Sequence, residues 1–252
     1  MDSSELKVCI KELKLPHVLE YVGDYTNKAS KENWSFTKYL YELLNIEREN
    51  RKEKRISRLQ KESGLPFSKT LDNLERKRFT RNINNQIDSL IDGTFLDRHE
   101  NILAFGNPGS GKTHTLCAIG HELILSGKRV LFKNCELLVQ ELLVSKRDFK
   151  LPYLLKKLRR YNPLIIDDIG YVQQNREEME VLFTLLADRY ENASTMITSN
   201  LPFSKWENIF KDPMTTAAAI DRLVHHSVII ELNLPSYRLQ QAKKTKETEI
   251  EK

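Results

Sequence analysis

The spacing of apolar residues changes character near residue 98 of this chain. Before it, apolar positions recur every three or four residues. Leu6, Ile10 and Leu13 share one helical face, and Phe36, Tyr39, Leu40, Leu43 and Leu44 make a second stripe behind Ser35, a residue suited to cap a helix. That second helix is predicted to run to about Glu62, where Gly64-Leu65-Pro66 stops it. Beyond residue 98, short continuous apolar runs alternate with amphipathic stretches, an α/β signature. The runs at 102–105, 129–133, 163–167, 195–198 and 228–232 predict a five-stranded parallel sheet. The pattern divides the chain into a helical N-terminal domain (1–75) suited to bind DNA or a partner, a linker or helix (76–97), an α/β domain (98–238) and a charged, disordered tail (239–252).

The first predicted strand runs into Gly106-Asn107-Pro108-Gly109-Ser110-Gly111-Lys112-Thr113, a complete Walker A loop. The glycines let successive N–H groups turn inward toward phosphate oxygens. The helix that follows, carrying Thr115-Leu116-Cys117-Ala118-Ile119, puts the positive end of its dipole at the same place, and His114 joins the loop residues as a nucleotide-binding candidate. Lys112 can reach the β and γ phosphates of ATP, and the Thr113 hydroxyl can ligate Mg2+. A chance Gly-rich turn would need neither the strand before it nor the helix after it.

The other parts of an ATPase follow in order. Pro163-Leu164-Ile165-Ile166-Asp167-Asp168 is a buried-strand pattern ending in two carboxylates, the Walker B arrangement. Asp167 is placed to bind magnesium, directly or through water, and Asp168 to polarise the attacking water. The run Thr195-Met196-Ile197-Thr198 leads through Ser199 into Asn200, a sensor candidate for the water or the γ-phosphate; a turn or N-cap role before Leu201-Pro202 is the alternative. Arg222 lies in a helical stretch ahead of the last strand. It can serve as an arginine finger in a neighbouring subunit's site, or pair with Asp221 or a surface acid.

From Asn101 to Arg238, the Walker motifs together with Thr198-Ser-Asn-Leu-Pro-Phe203, Asp221-Arg-Leu223 and Ser236-Tyr-Arg238 resemble the IstB family, AAA+ helper ATPases of transposition. The DnaC helicase loaders are more distantly similar. The resemblance implies an AAA+ domain of the ASCE P-loop class with strand order 5-1-4-3-2, after a small all-helical domain, and the fourteen residues after Arg238 are too few for a helical lid, so a lidless domain is expected. It implies ATP binding, a homo-oligomer assembled on largely non-specific double-stranded DNA, and delivery of that DNA to a cognate transposase. Lys112, Thr113, Asp167, Asp168, Asn200 and Arg222 take the matching roles. One departure stands out: many AAA+ proteins carry glutamate where this chain has Asp168, one methylene shorter, which argues against brisk hydrolysis but leaves the magnesium assignment intact; a slow ATPase, stimulated by DNA, is expected. A DnaC-like loader of a replicative helicase is the alternative reading. A small-molecule phosphotransferase would need an acceptor pocket and lid of which the sequence gives no sign.

Composition agrees with this. An apolar share of 40% is enough for a core, and 30% charged residues with a mean hydropathy of −0.51 describe a soluble, cytoplasmic chain. No apolar run is long enough to cross a bilayer, and the first residues lack a signal-peptide layout. Cys9, Cys117 and Cys135 lie far apart and read as small apolar side chains rather than a disulfide or zinc set. Trp34 and Trp206 read as packing residues.

The net charge of +5 is mild, but its distribution is uneven. Residues 48–81 hold twelve Lys or Arg against five Asp or Glu, including Arg48, Arg51, Lys52, Lys54, Arg55 and Arg58. A second cluster holds Lys146, Arg147, Lys150, Lys156, Lys157, Arg159 and Arg160 against Asp148. Both are candidate phosphate-contact surfaces for DNA, and solvated helix faces are the plain alternative. No base-reading motif accompanies them.

Overall fold

The computed structural model describes residues 3–170, 175–202, 205–206, 217, 220–221, 223–237 and 239–240. The chain divides into two compact units, residues 1–58 and 59–252.

The first unit is helical. It holds α1 (Ser3–Glu12), α2 (Pro16–Lys31) and most of α3 (Phe36–Ser63). Pro16 opens α2 at a position where its missing N–H costs nothing. The Ser35 hydroxyl caps α3 by accepting the Lys38 N–H at 3.2 Å. The core is Ile10, Val18 and Leu43, with Leu15, Leu19, Val22, Tyr25 and Tyr39 packed against it. The apolar stripe predicted on α3 therefore splits. Tyr39 and Leu43, spaced i and i+4, turn inward, while Phe36 is 94% exposed and Leu40 and Leu44 also face solvent. These three share a neighbouring strip of the helix that α1 and α2 leave uncovered. Trp34 packs edge-on to Tyr25, with Lys28 and Lys38 over its ring.

The second unit is a parallel five-stranded sheet between helical layers. Its strands are β1 (Asn101–Gly106), β2 (Leu131–Asn134), β3 (Pro163–Ile169), β4 (Ser194–Ser199) and β5 (Ser227–Leu232), in the order β2-β3-β4-β1-β5. This is the order 5-1-4-3-2 implied by the resemblance. β1 is an interior strand, paired with β4 and β5 and buried on both faces, which is why its sequence from Ile102 to Phe105 is continuously apolar. One face carries Leu103, Phe105, Leu164, Ile166 and Ile197 against α7 (Cys135–Arg147), α8 (Leu151–Leu158) and α9 (Arg176–Arg189). The other face receives α6 (Lys112–Leu125), where Gly120 lets the helix approach Ile165. α4 (Arg81–Ile91), capped by Thr80, packs on α6 and β5, and the short α5 (Thr94–Asp97) leads into β1.

β2 begins two residues later than predicted because Arg129 pairs with Asn162 through the Asn162 N–H (2.7 Å) and the Asn162 side chain (2.8 Å), outside the strand ladder. Trp206 is fully buried against Phe105, and its indole N–H donates to Leu201 O at 3.1 Å. Cys117 and Cys135 are buried, whereas Cys9 is exposed rather than packed. Among the described residues no helix is long and apolar enough to cross a membrane. The expected tail lies outside the described residues from 241 onward.

Candidate functional site

The segments at the carboxyl ends of β1, β3 and β4 meet at one cavity of about 280 Å³. Its floor is the loop between β1 and α6. Gly106 leaves β1 with φ 145°, and a Cβ there would lie 2.2 Å from Leu232 O. Gly109 has φ 76°, and a Cβ would meet the Ser236 hydroxyl at 2.2 Å. The loop's glycines are thus required twice over, by left-handed backbone and by the close passage of residues 232–236. Lys112 is buried at the first turn of α6, and its ammonium donates to Gly106 O (2.8 Å) and Asn107 O (3.0 Å). The cation is held across the loop mouth at the positive end of the helix dipole, a place made for an anion.

The second wall comes from β3 and β4. Asp167 is buried at the end of β3, and its Oδ1 accepts the Thr198 hydroxyl at 2.7 Å. Asp168 is exposed, with φ 61°. The ladder between β3 and β4 slips here: Ile166 pairs with Ile197 and Ile169 with Ser199, so Asp167 and Asp168 both stand opposite Thr198. This bulge turns the second carboxylate out of the sheet. The Ser199 hydroxyl reaches back to Ile169 O (3.0 Å) and accepts the Leu201 N–H (3.1 Å), which fixes the turn that carries Asn200. The Asn200 Oδ1 is buried and makes no hydrogen bond, as does the Ser110 hydroxyl in the loop.

The third wall was not legible as chemistry. Lys69, Asn73, Leu74, Glu75, Arg78 and Phe79 line the cavity from the segment between α3 and α4, and Tyr237 closes it after β5. Two histidines two turns apart on α6 hold that segment down: His114 Nε2 donates to Thr70 O (2.9 Å) and His121 Nε2 to Pro66 O (3.1 Å). Burial lowers the His114 pKa, outweighing its bond to Thr70, with Lys69 and His121 adding to the lowering. The Tyr237 N–H donates to Gly109 O (2.9 Å), its hydroxyl meets Glu75 (3.3 Å), and the Arg78 guanidinium lies 5.1 Å over its ring while donating to Pro235 O (2.6 Å).

The predicted site residues Pro108, Gly109, Ser110, Gly111, Lys112, Thr113, His114, Asp168 and Asn200 therefore line one cavity. Gly106 and Asn107 act through their carbonyls beneath it, and Asp167 sits buried behind Asp168. Arg222 lies outside the described residues, as does Arg238. Thr113 and Asp167 offer a hydroxyl and a carboxylate, the hard oxygen donors that magnesium takes. Cys117, one turn behind the loop, is a thiol that burial pushes up to about 12, so it stays protonated and inert.

The basic candidates behave unequally. In the first unit, Arg51 is tied to the buried Glu47 (2.8 Å), Arg48 pairs with Glu49 (3.3 Å) and Lys54 lies 2.9 Å from His17. Arg55 and Arg58 also have partners, and Lys52 is exposed. In the second cluster, Lys146 pairs with Glu180 (3.0 Å), Arg159 with Asp188, and Lys150 with Asp148 (3.6 Å), while Arg147 is exposed. Two of these acids come from α9, so counting charges locally along the sequence overstated the patch.

Residues 8–245 match the family described as IstB-like ATP binding protein. An insertion sequence ATP-binding protein of Sinorhizobium fredii is 38% identical over 247 residues, spanning 98% of this chain and 83% of that protein. The insertion sequence IS21 ATP-binding protein of Pseudomonas aeruginosa is 34% identical over 241 residues, 95% of this chain and 91% of that one. Among solved structures, the DnaC helicase loader superposes with a TM-score of 0.59 at 19% identity, covering 66% of this chain and 98% of the loader, a likeness of fold.

Proposed function

Because the chain belongs to the IstB-like ATP-binding protein family, with an AAA+ fold, we propose that it is an ATPase that assembles on DNA and hands that DNA to a transposase. The single observation that carries the ATPase part is the convergence of the Lys112 loop, Asp168 and Asn200 on one cavity. In this reading the loop N–H groups and Lys112 take the triphosphate, and Thr113 and Asp167 hold Mg2+, which neutralises charge building on the phosphates. Asp168 accepts hydrogen bonds from the attacking water, and the Asn200 amide oxygen orients it. Arg222, assigned from sequence, completes the site of a neighbouring copy by adding positive charge to the transferring phosphoryl group.

The DNA part of the proposal rests on the exposed members of the two basic clusters, Lys52 and Arg147 foremost, and on the names of the insertion-sequence relatives. Contacts spread over several copies would hold and bend a duplex in a way one copy does not. Fluorescence anisotropy of a labelled non-specific duplex tests this. ATP should tighten binding by about tenfold, and log K should fall linearly with log salt with a slope steeper than about −3. Duplex affinity that ATP leaves unchanged, or that salt does not weaken, contradicts it.

A further inference from the structure

The bulge between β3 and β4 leaves a problem that one side chain solves. Where two residues of β3 face one of β4, the extra N–H has no ladder partner. Here that N–H belongs to Asp168, and it donates to the Thr198 hydroxyl oxygen at 2.8 Å. The same hydroxyl spends its own proton on Asp167 Oδ1 at 2.7 Å. Thr198 is fully buried, so neither bond competes with solvent.

We infer that Thr198 is a positioning residue for both acids of the phosphate site, and that its hydroxyl is what allows an aspartate to stand where a glutamate is usual. The inference rests on the ATPase reading above. One bond orients the Asp167 carboxylate and leaves its second oxygen for a metal. The other bond holds Asp168 at φ 61°, a conformation that favours glycine, asparagine and aspartate. Aspartate's tolerance of left-handed backbone, beyond that of glutamate, gives a local reason for the residue type.

Thr198→Val removes the hydroxyl while keeping the branched shape, and Thr198→Ser keeps the hydroxyl. Thr195→Val removes a buried hydroxyl from the other end of the same strand, remote from both acids, and controls for damage to β4. Binding of a fluorescent ATP analogue is measured in EDTA and in Mg2+, followed by steady-state phosphate release. T198V should match the parent's affinity in EDTA within about twofold, lose about fivefold or more of the gain that Mg2+ brings, and lower kcat by about tenfold with KM changed less. T198S and T195V should keep the Mg2+ gain and turnover within about threefold of the parent. If T198V does not fold, Thr198→Ala supplies the same test without a new methyl group. A hydroxyl-free variant that keeps the full Mg2+ gain and turnover overturns the inference, and so does T198S failing as badly as T198V. Absence of Mg2+-dependent nucleotide binding by the unmodified protein overturns the ATPase reading itself, a result visible before any variant is made.

Discussion

The two compact units of this protein solve the problem of stability differently. The sheet unit buries β1 on both faces and holds a buried arginine beside the start of β4: Arg189 donates to the carbonyls of Leu158 (2.9 Å), Tyr161 (3.2 Å) and Ser194 (2.6 Å). Burial lowers its guanidinium to about 10, so it remains charged at neutral pH and ties the turn after α8 to the start of β4. The helical unit has a small core of Ile10, Val18 and Leu43, braced by the Glu47–Arg51 pair, and leaves Phe36, Leu40 and Leu44 in solvent. The sheet unit spends its interior on holding a phosphate site rigid. The helical unit leaves part of one α3 face, Phe36, Leu40 and Leu44, in solvent.

The sharpest way to break this comparison is at the site. Lys112→Ala removes a buried cation from the phosphate cradle and should weaken ATP binding roughly a thousandfold, about 4 kcal/mol, by nucleotide titration. An unchanged thermal unfolding temperature for that variant would show that the loop serves the ligand and not the fold. Next in size are the cores. Leu142→Ala, fully buried in the sheet unit, should cost about 3–4 kcal/mol in urea unfolding, and Leu43→Ala in the helical unit about 2 kcal/mol. Equal costs would mean that the two cores are equally tight.

Smaller effects come from charge and surface. Burial works to raise the Glu47 carboxyl, but the Arg51 guanidinium and the N–H groups of His17 and Val18 outweigh it, and its folded pKa lies below the ordinary 4.5. This stabilisation is complete above pH 4.5 and is lost as pH falls through the lower folded value. Glu47→Gln should therefore cost on the order of 1 kcal/mol at pH 7, with the two proteins converging in strong acid when unfolding of the helical unit is followed by circular dichroism. Phe36→Ser should change stability by less than about 0.5 kcal/mol, since its ring touches little. A larger loss would place that ring in a contact that its exposure does not reveal.

Much of the sheet unit was legible because its demands fall on residue type. A strand buried on both faces must be apolar throughout, and a phosphate loop must use glycine, lysine and threonine at fixed places, so strands and loop could be read from the chain, whereas the strand order came from the family resemblance and not from spacing. The cavity's third wall was not legible. Residues 66–79 are held by histidine-to-carbonyl bonds, and a carbonyl is the same on every residue. Thr198 was read as part of a strand, since a single hydroxyl filling a bulge leaves no periodic mark. The α3 stripe shows the same limit: periodicity finds an apolar face, but the partner helices decide which strip of it is covered. α2 was absent from the reading altogether, although Val18, Val22 and Tyr25 recur at helical spacing.

The central claim is that nucleotide joins copies of this protein on DNA. Multi-angle light scattering across a salt series, with and without ATP and a short non-specific duplex, tests it most directly. Growth into a complex of several copies that needs both ligands is predicted, with Arg222→Ala still binding ATP but not growing. A monomer under every condition, or full assembly by the Arg222→Ala variant, would contradict the account.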